Sequence, residues 1–255
     1  MLLKLQGKKG LILGVANDQS IAWGCAKVLH GLGAEICLTY GNPKTRNYTE
    51  KLADQIHAPV FTQMNTSNPE QVEEVFGLIK EQCGTLDFII HSIAFCPAAD
   101  LHGPVSEVTR NGFASAVDIS WYSLMLVARQ GAKFMKNGGS ITAMSYYGSQ
   151  KVIQNYNIMG PIKAALESSV RYLAVELGEK NIRVNAISPG PIATRAASGI
   201  SGFDKLIADN EARSPLKEKL TIEDIGQSSA FLISDMSKRI TGQVLYVDNG
   251  MSIIG

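Results

Sequence analysis

The sequence predicts an α/β fold with a mostly parallel sheet, and three observations predict it. Short β-branched or apolar runs recur along the whole chain. Longer segments of helical period separate them. No internal repeat, low-complexity tract or long Pro/Gly/Ser linker divides the 255 residues. Strands that alternate with helices pair in parallel through crossovers, and the crossovers cover both faces of the sheet. The expected architecture is a single doubly wound, Rossmann-type domain over residues 1–255, with a mostly parallel seven-stranded sheet and helices on both faces.

The strands are read in order from "GLILGV" at 10–15, "AEICLTY" at 34–40, "PVFTQMN" at 59–65 and "LDFIIHS" at 86–92, then "SITAMSY" at 140–146, "RVNAISP" at 183–189 and "QVLYVD" at 243–248. Each has the length and side-chain type of a buried strand. Helices are expected near 20–32, 44–56, 69–83, 107–135, 155–178 and 223–234, the third announced by Asn68-Pro69 as cap and first residue. One stretch breaks the rhythm. "PGPIATRAASGISGFDKL", 189–206, is long for a strand-to-helix connection and rich in Gly, Ala and Ser. It leaves the C-terminal end of a strand, where open parallel sheets bind ligands, and so is read as a lid with plain connecting chain as the alternative.

With 24 basic and 23 acidic side chains the formal net charge is +1, which supplies no global field for nucleic acid or an anionic membrane. The N-terminus "MLLKLQGKKG" has too short an apolar run for a signal peptide, and no apolar segment reaches membrane-spanning length. The cytoplasm is the expected location. Cys25, Cys37, Cys83 and Cys96 form no CxxC pair and the four histidines no HxxxH, so neither disulfides nor a metal site is signalled.

After the first strand comes "GVANDQSIAWG". Gly14 lets backbone approach a phosphate, and Ser20 to Ala22 open a helix whose free amides attract an anion. The dinucleotide fingerprint GxGxxG is absent, so an ordinary strand-to-helix turn fits as well. The second strand ends at Gly41, where an acid would bind a ribose hydroxyl or a base a 2′-phosphate. Gly41 is neither, with Lys44 and Arg46 a little further on, and NADH against NADPH stays open. Asn65 after the third strand suits either adenine or a turn.

Tyr156 precedes Lys163 by seven residues. On a helix seven residues turn through about 700°, within about 20° of two whole turns, so the two share a face about 10 Å apart along the axis. Four residues before the lysine stands Met159, which has no ionisable proton. By spacing alone a packing role for Tyr156 is the favoured reading.

Several segments together carry more. "GVANDQSIAWG", "HSIAF", "DISWYS", "SYYG", "YNIMGPIK" and "RVNAISPGPIATRAASGI" occur in this order over nearly the whole chain. In them the sequence resembles the bacterial enoyl-[acyl-carrier-protein] reductases of the short-chain dehydrogenase superfamily. Carbonyl-reducing relatives carry NNAG where this chain has "HSIA", YxxxK where it has Met159, and a serine where it has Ala143. The resemblance implies that Tyr156 hydrogen-bonds the thioester carbonyl, that Lys163 holds the nicotinamide ribose, and that Tyr146 contacts substrate. It further implies a cofactor cleft lined by Gly14, Ser20, Ile21, Asn65, Ser92, Ile93, Lys163, Ile192 and Thr194, with NADH as cofactor and NADPH left open. Residues 193–206 would form a mobile substrate loop. The implied partner is an acidic acyl carrier protein, for which Arg195, Lys205 and Arg213 are candidate contacts. The implied assembly is a homotetramer. In conjugate reduction the charge grows on an oxygen remote from the carbon that receives hydride, and the longer tyrosine spacing suits that longer path. A 3-oxoacyl or other carbonyl reductase is the enzyme alternative, disfavoured by Met159 and Ala143. A silent NAD(P)-binding regulator need not keep Tyr146, Tyr156 and Lys163 together.

Overall fold

In the computed structural model of the chain the described residues are 3–194 and 202–254. The seven expected strands all form: β1 (Lys9–Leu13), β2 (Glu35–Tyr40), β3 (Phe61–Gln63), β4 (Phe88–His91), β5 (Gly139–Met144), β6 (Ile182–Pro189) and β7 (Val244–Val247). They make one sheet in the order β3-β2-β1-β4-β5-β6-β7, and every pair is parallel. The chain moves outward from β1 to β3, then returns to lay β4 beside β1, with Gly10 opposite Phe88 and Leu13 opposite His91. That reversal opens a crevice at the C-terminal ends of β1 and β4.

The helices are α1 (Ile21–Gly31), α2 (Arg46–Gln55), α3 (Pro69–Gln82), α4 (Ala98–His102), α5 (Arg110–Val117), α6 (Ser123–Gly131), α7 (Met159–Gly178), α8 (Phe203–Arg213) and α9 (Ile222–Ile233). Alternate residues of the central strands feed two cores. Leu11, Leu13, Ile89 and Ile141 pack with α3, α6 and α7 on one face, while Ile12, Ile36, Leu38 and Ile90 pack with α1 and α9 on the other. Strands buried from both sides read as unbroken apolar runs, which is why their positions follow from sequence.

Local chemistry fixes the helix starts. Asn68 accepts from the Glu70 and Gln71 amides at 3.0 and 3.4 Å, with Pro69 in the first position of α3. Thr221 and Asp224 form a reciprocal capping box on α9.

Two expected elements are corrected. The long helix expected at 107–135 is α5 and α6 joined through a π-helical segment at Asp118–Tyr122. Inside it the Ser120 hydroxyl accepts from the Phe95 amide and donates to the Phe95 carbonyl, both at 2.8 Å, which ties the chain after β4 to this helix. The helix expected from 155 begins only at Met159. Asn155 and Asn157 adopt left-handed backbone, φ 64° and 40°, which a right-handed helix cannot contain. The last four residues of the expected substrate loop at 193–206 form the first turn of α8, and residues 195–201, including Arg195, lie outside the described residues.

Candidate active site

A cleft of about 820 Å³ runs along the C-terminal ends of β1 to β6, a size typical of small-molecule sites. Gly14, Ile21, Asn65, Ser92, Ile93, Tyr146, Tyr156, Lys163, Ile192 and Thr194 all line it. Gly14 is the floor of its nucleotide end. Its φ of 99° is left-handed, and a Cβ there would sit on the Ser92 carbonyl, so only glycine allows β1 and β4 to splay into this cradle. α1 then starts at Ile21 with no side-chain cap, which leaves its first amides for an anion.

Ser20 is the exception among the expected cofactor residues. Its hydroxyl accepts from the Ala16 and Asn17 amides, both at 3.0 Å, and lies 3.1 Å from Asn17 Oδ1. It shapes the turn from within and is absent from the cleft wall. Asn65 makes the turn bond and also reaches the cleft rim. Its Oδ1 accepts from the Ser67 amide at 3.1 Å in a local turn, and the residue borders the cleft. At the end of β2, Gly41, Asn42 and Thr45 border the cleft, and a Cβ on Gly41 would have open room. Arg46 reaches along α2 to Glu50 at 3.5 Å. The Gly14 cradle, the uncapped helix start and the polar rim fit a dinucleotide.

At the other end stand the tyrosines and the lysine. Tyr156 sits in the turn before α7, so the two-turn helical geometry expected from its spacing does not exist. The left-handed asparagines on either side of Tyr156 present it to the cleft, while Lys163 reaches the same cleft from the first turns of α7. The Lys163 ammonium donates to the Met144 carbonyl at the end of β5, at 2.7 Å. Lys163 is only 4% exposed, and burial pushes its pKa down to about 8, with Glu167 pulling it back up.

The ring of Tyr146 meets that of Tyr156 edge-on, with centroids 4.8 Å apart and planes at 69°. Burial pushes Tyr146 up to about 12. Tyr156 is driven well above the ordinary tyrosine range by burial, then by Tyr146 and Glu167. A phenol so hard to ionise remains a neutral donor at physiological pH. The arrangement therefore offers a preplaced O–H and a cationic ammonium on one apolar-walled cleft, which suits stabilisation of a developing oxyanion. Ala143, where a carbonyl reductase would carry its serine, is fully buried in the β5 core. Met159 borders the cleft.

Other residues at the site are not legible from their own neighbourhoods. Cys96, just before α4, Leu101 on α4 and Phe203 at the start of α8 also line the cleft. His91, from "HSIA", is buried beneath the site with its Nε2 2.7 Å from the Ser123 hydroxyl. That hydroxyl spends its hydrogen on the Ile119 carbonyl at 2.6 Å, so Nε2 carries the imidazole proton. Nδ1 has no hydrogen-bond partner among the described residues. Burial, followed by the charge of Lys163, pushes the His91 pKa down to about 3, and the ring is neutral. Glu167 lies one turn beyond Lys163 and is buried; the four-residue spacing is the sequence signal that would have found it.

The comparisons with known proteins agree with this geometry. A family model described as enoyl-(acyl carrier protein) reductase matches residues 14–252. The chain is 45% identical over 251 residues to enoyl-[acyl-carrier-protein] reductase [NADH] 1 of Rhizobium meliloti (strain 1021), covering 98% of this chain and 92% of that one. It is 44% identical over 255 residues to enoyl-[acyl-carrier-protein] reductase [NADPH] of Staphylococcus aureus (strain MRSA252), covering 99% and 100%. Among solved structures it matches the enoyl-[acyl-carrier-protein] reductase (NADH) of Aquifex aeolicus VF5 with a TM-score of 0.95 at 42% identity, over 98% and 99% of the two chains.

Proposed function

The chain belongs to the enoyl-[acyl-carrier-protein] reductases of the short-chain dehydrogenase superfamily, and on that premise we infer that it reduces trans-2-enoyl thioesters of acyl carrier protein in fatty-acid elongation. NADH supplies the hydride, which goes to the β-carbon of the enoyl group. Electron density then moves through the conjugated system to the thioester oxygen. Tyr156 donates its hydrogen bond to that oxygen and stabilises the enolate, and the α-carbon takes up a proton to complete the saturated thioester. Lys163 holds the nicotinamide ribose hydroxyls, and Tyr146 contacts substrate beside Tyr156. Gly14, Ile21, Ser92, Ile93, Ile192 and Thr194 bind the dinucleotide, with Ser20 supporting the turn and Asn65 at the adenine rim.

The observation that carries this reading is the buried, neutral Tyr156 on the same cleft as Lys163. The test is loss of reduced-nicotinamide absorbance with crotonyl thioester, and its slowing by about 10²–10³ in Tyr156→Phe, the effect of losing one oxyanion donor. Oxidation with acetoacetyl thioester alone would make the protein a carbonyl reductase instead.

The whole chain is read as one catalytic domain, supported by its single uninterrupted sheet, with 193–206 as substrate loop. Lys205, exposed on α8, and Arg213 are the candidate contacts to the acidic carrier protein. Lys205→Glu should raise KM for carrier-bound substrate more than for the coenzyme A thioester, and equal effects would remove that contact. A homotetramer is supported by the apolar side chains that α7 leaves open, Tyr172 at 78% and Val175 at 81% exposure; light scattering reads it directly. A cytoplasmic location is in keeping with the described helices, none of which is long and apolar enough to cross a membrane.

A further inference from the structure

Glu167 is a carboxylate with 4% exposure, on the face of α7 that carries Lys163 one turn earlier. It does not line the substrate cleft. Burial of such a group is costly unless it is hydrogen-bonded, so its partners indicate what it is for. Its Oε1 accepts from the Ser145 hydroxyl at 2.5 Å and the Ser149 hydroxyl at 2.7 Å. These two serines bracket Tyr146. The short loop between them also touches the catalytic turn: a Cβ on Gly148 would stand 2.5 Å from the Tyr156 ring, and one on Gly160 2.8 Å from the Gly148 carbonyl. Gly148 therefore packs directly on the Tyr156 ring and on the first turn of α7.

We propose that Glu167 is a positioning residue of the reduction, which clamps both ends of the Ser145–Ser149 loop to α7, so holds Tyr146 edge-on against Tyr156, and serves as the counter-charge behind Lys163. The proposal rests on the enoyl reductase reading, since it assigns work to Tyr156 and Lys163. Two consequences separate. Losing the clamp loosens the tyrosine pair and lowers kcat. Losing the charge makes Lys163 give up its proton at lower pH. The groups that face Lys163 and Glu167 from the packed elements are His91 on β4, Tyr146 and Tyr156 on the connection after β5, and Tyr246 on β7. His91 titrates near 3 and the three phenols lie above their ordinary range, so Lys163 is the member of this set that changes charge near pH 8.

The experiment compares wild type, Glu167→Gln and Ser149→Ala by NADH binding, read as fluorescence enhancement across pH, and by kcat on crotonyl thioester. In Glu167→Gln the pH at which NADH binding weakens should fall by about one unit, the effect of removing a nearby opposite charge, and kcat should drop about tenfold or more. Ser149→Ala keeps the carboxylate, so its binding midpoint should stay at the wild-type value while kcat falls several-fold. A purely structural role would lower the melting temperature of Glu167→Gln and leave midpoint and kcat unmoved; that result, or an unchanged kcat in Ser149→Ala, overturns the proposal. Failure of the wild type to oxidise NADH with crotonyl thioester would instead overturn the enoyl reductase reading, and the midpoint in binding alone would still decide the counter-charge.

Discussion

Lys163→Met exchanges the buried ammonium for an apolar side chain of similar length, and its effect on stability should depend on pH in one direction only. The folded-state pKa of Lys163 is about 8, against an ordinary 10.5. Between those values the unfolded chain keeps a proton that the folded chain has released, so the wild type gains stability as pH rises through this window. The full difference is about 3 kcal/mol, from roughly 1.4 kcal/mol per pKa unit. Below pH 8 the wild type carries the whole cost of holding a charge in a dry site; the Lys163→Met variant carries none of it. The variant also loses the hydrogen bond to the Met144 carbonyl, an offset of about 1 kcal/mol that does not vary with pH. Urea unfolding of both proteins without cofactor, from pH 7 to 10.5, isolates the term because all other titrations are shared. The wild type should rise relative to the variant by about 3 kcal/mol over that range. Parallel stability curves would refute the reasoning, and would mean that water or the folded site already solvates the ammonium.

Three further substitutions probe the cleft. Gly14→Ala places a methyl on the Ser92 carbonyl and demands left-handed backbone of alanine; denaturation should show a loss of at least about 2 kcal/mol, with NADH binding abolished. Gly148→Ala pushes on the Tyr156 ring, so kcat should fall at least tenfold while NADH affinity, by fluorescence titration, stays within a factor of about two. Gly41→Arg has open space at the end of β2 and should move the kcat/KM ratio toward NADPH by about tenfold through a charge-assisted bond to the 2′-phosphate; an unchanged ratio would mean that the adenosine ribose lies elsewhere.

The sheet is legible in the sequence because burial on both faces forces each strand to be an apolar run, and "DFIIHS" or "SITAMS" can be little else. Helices with an explicit start signal, such as α3 after Asn68-Pro69, are legible for a similar reason. The start of α7 is not. Periodicity runs through Tyr156 into the true helix, and only the backbone of Asn155 and Asn157 reveals the break. Asparagine tolerates left-handed φ but does not require it, so composition alone leaves the boundary open. The same applies to Ser20, whose type fits both a phosphate contact and an internal turn bond; the hydroxyl has gone to the turn. α8 is hidden behind a Gly- and Ser-rich approach that reads as loop. At the site, Tyr156 and Lys163 are recognised through resemblance, whereas the four-residue spacing of Glu167 from Lys163 marks it only as a neighbour, and its bonds to two serines distant in sequence appear in the fold. The longer spacing of tyrosine and lysine therefore reflects a left-handed turn that carries the phenol, rather than two turns of one helix.

The most direct test of hydride delivery to the β-carbon is to supply NADH carrying deuterium at both C4 positions with crotonyl thioester and locate the label in the product by NMR. Deuterium on C3 of butyryl thioester is the predicted result. Deuterium at C2, or unlabelled thioester despite NADH oxidation, would contradict it.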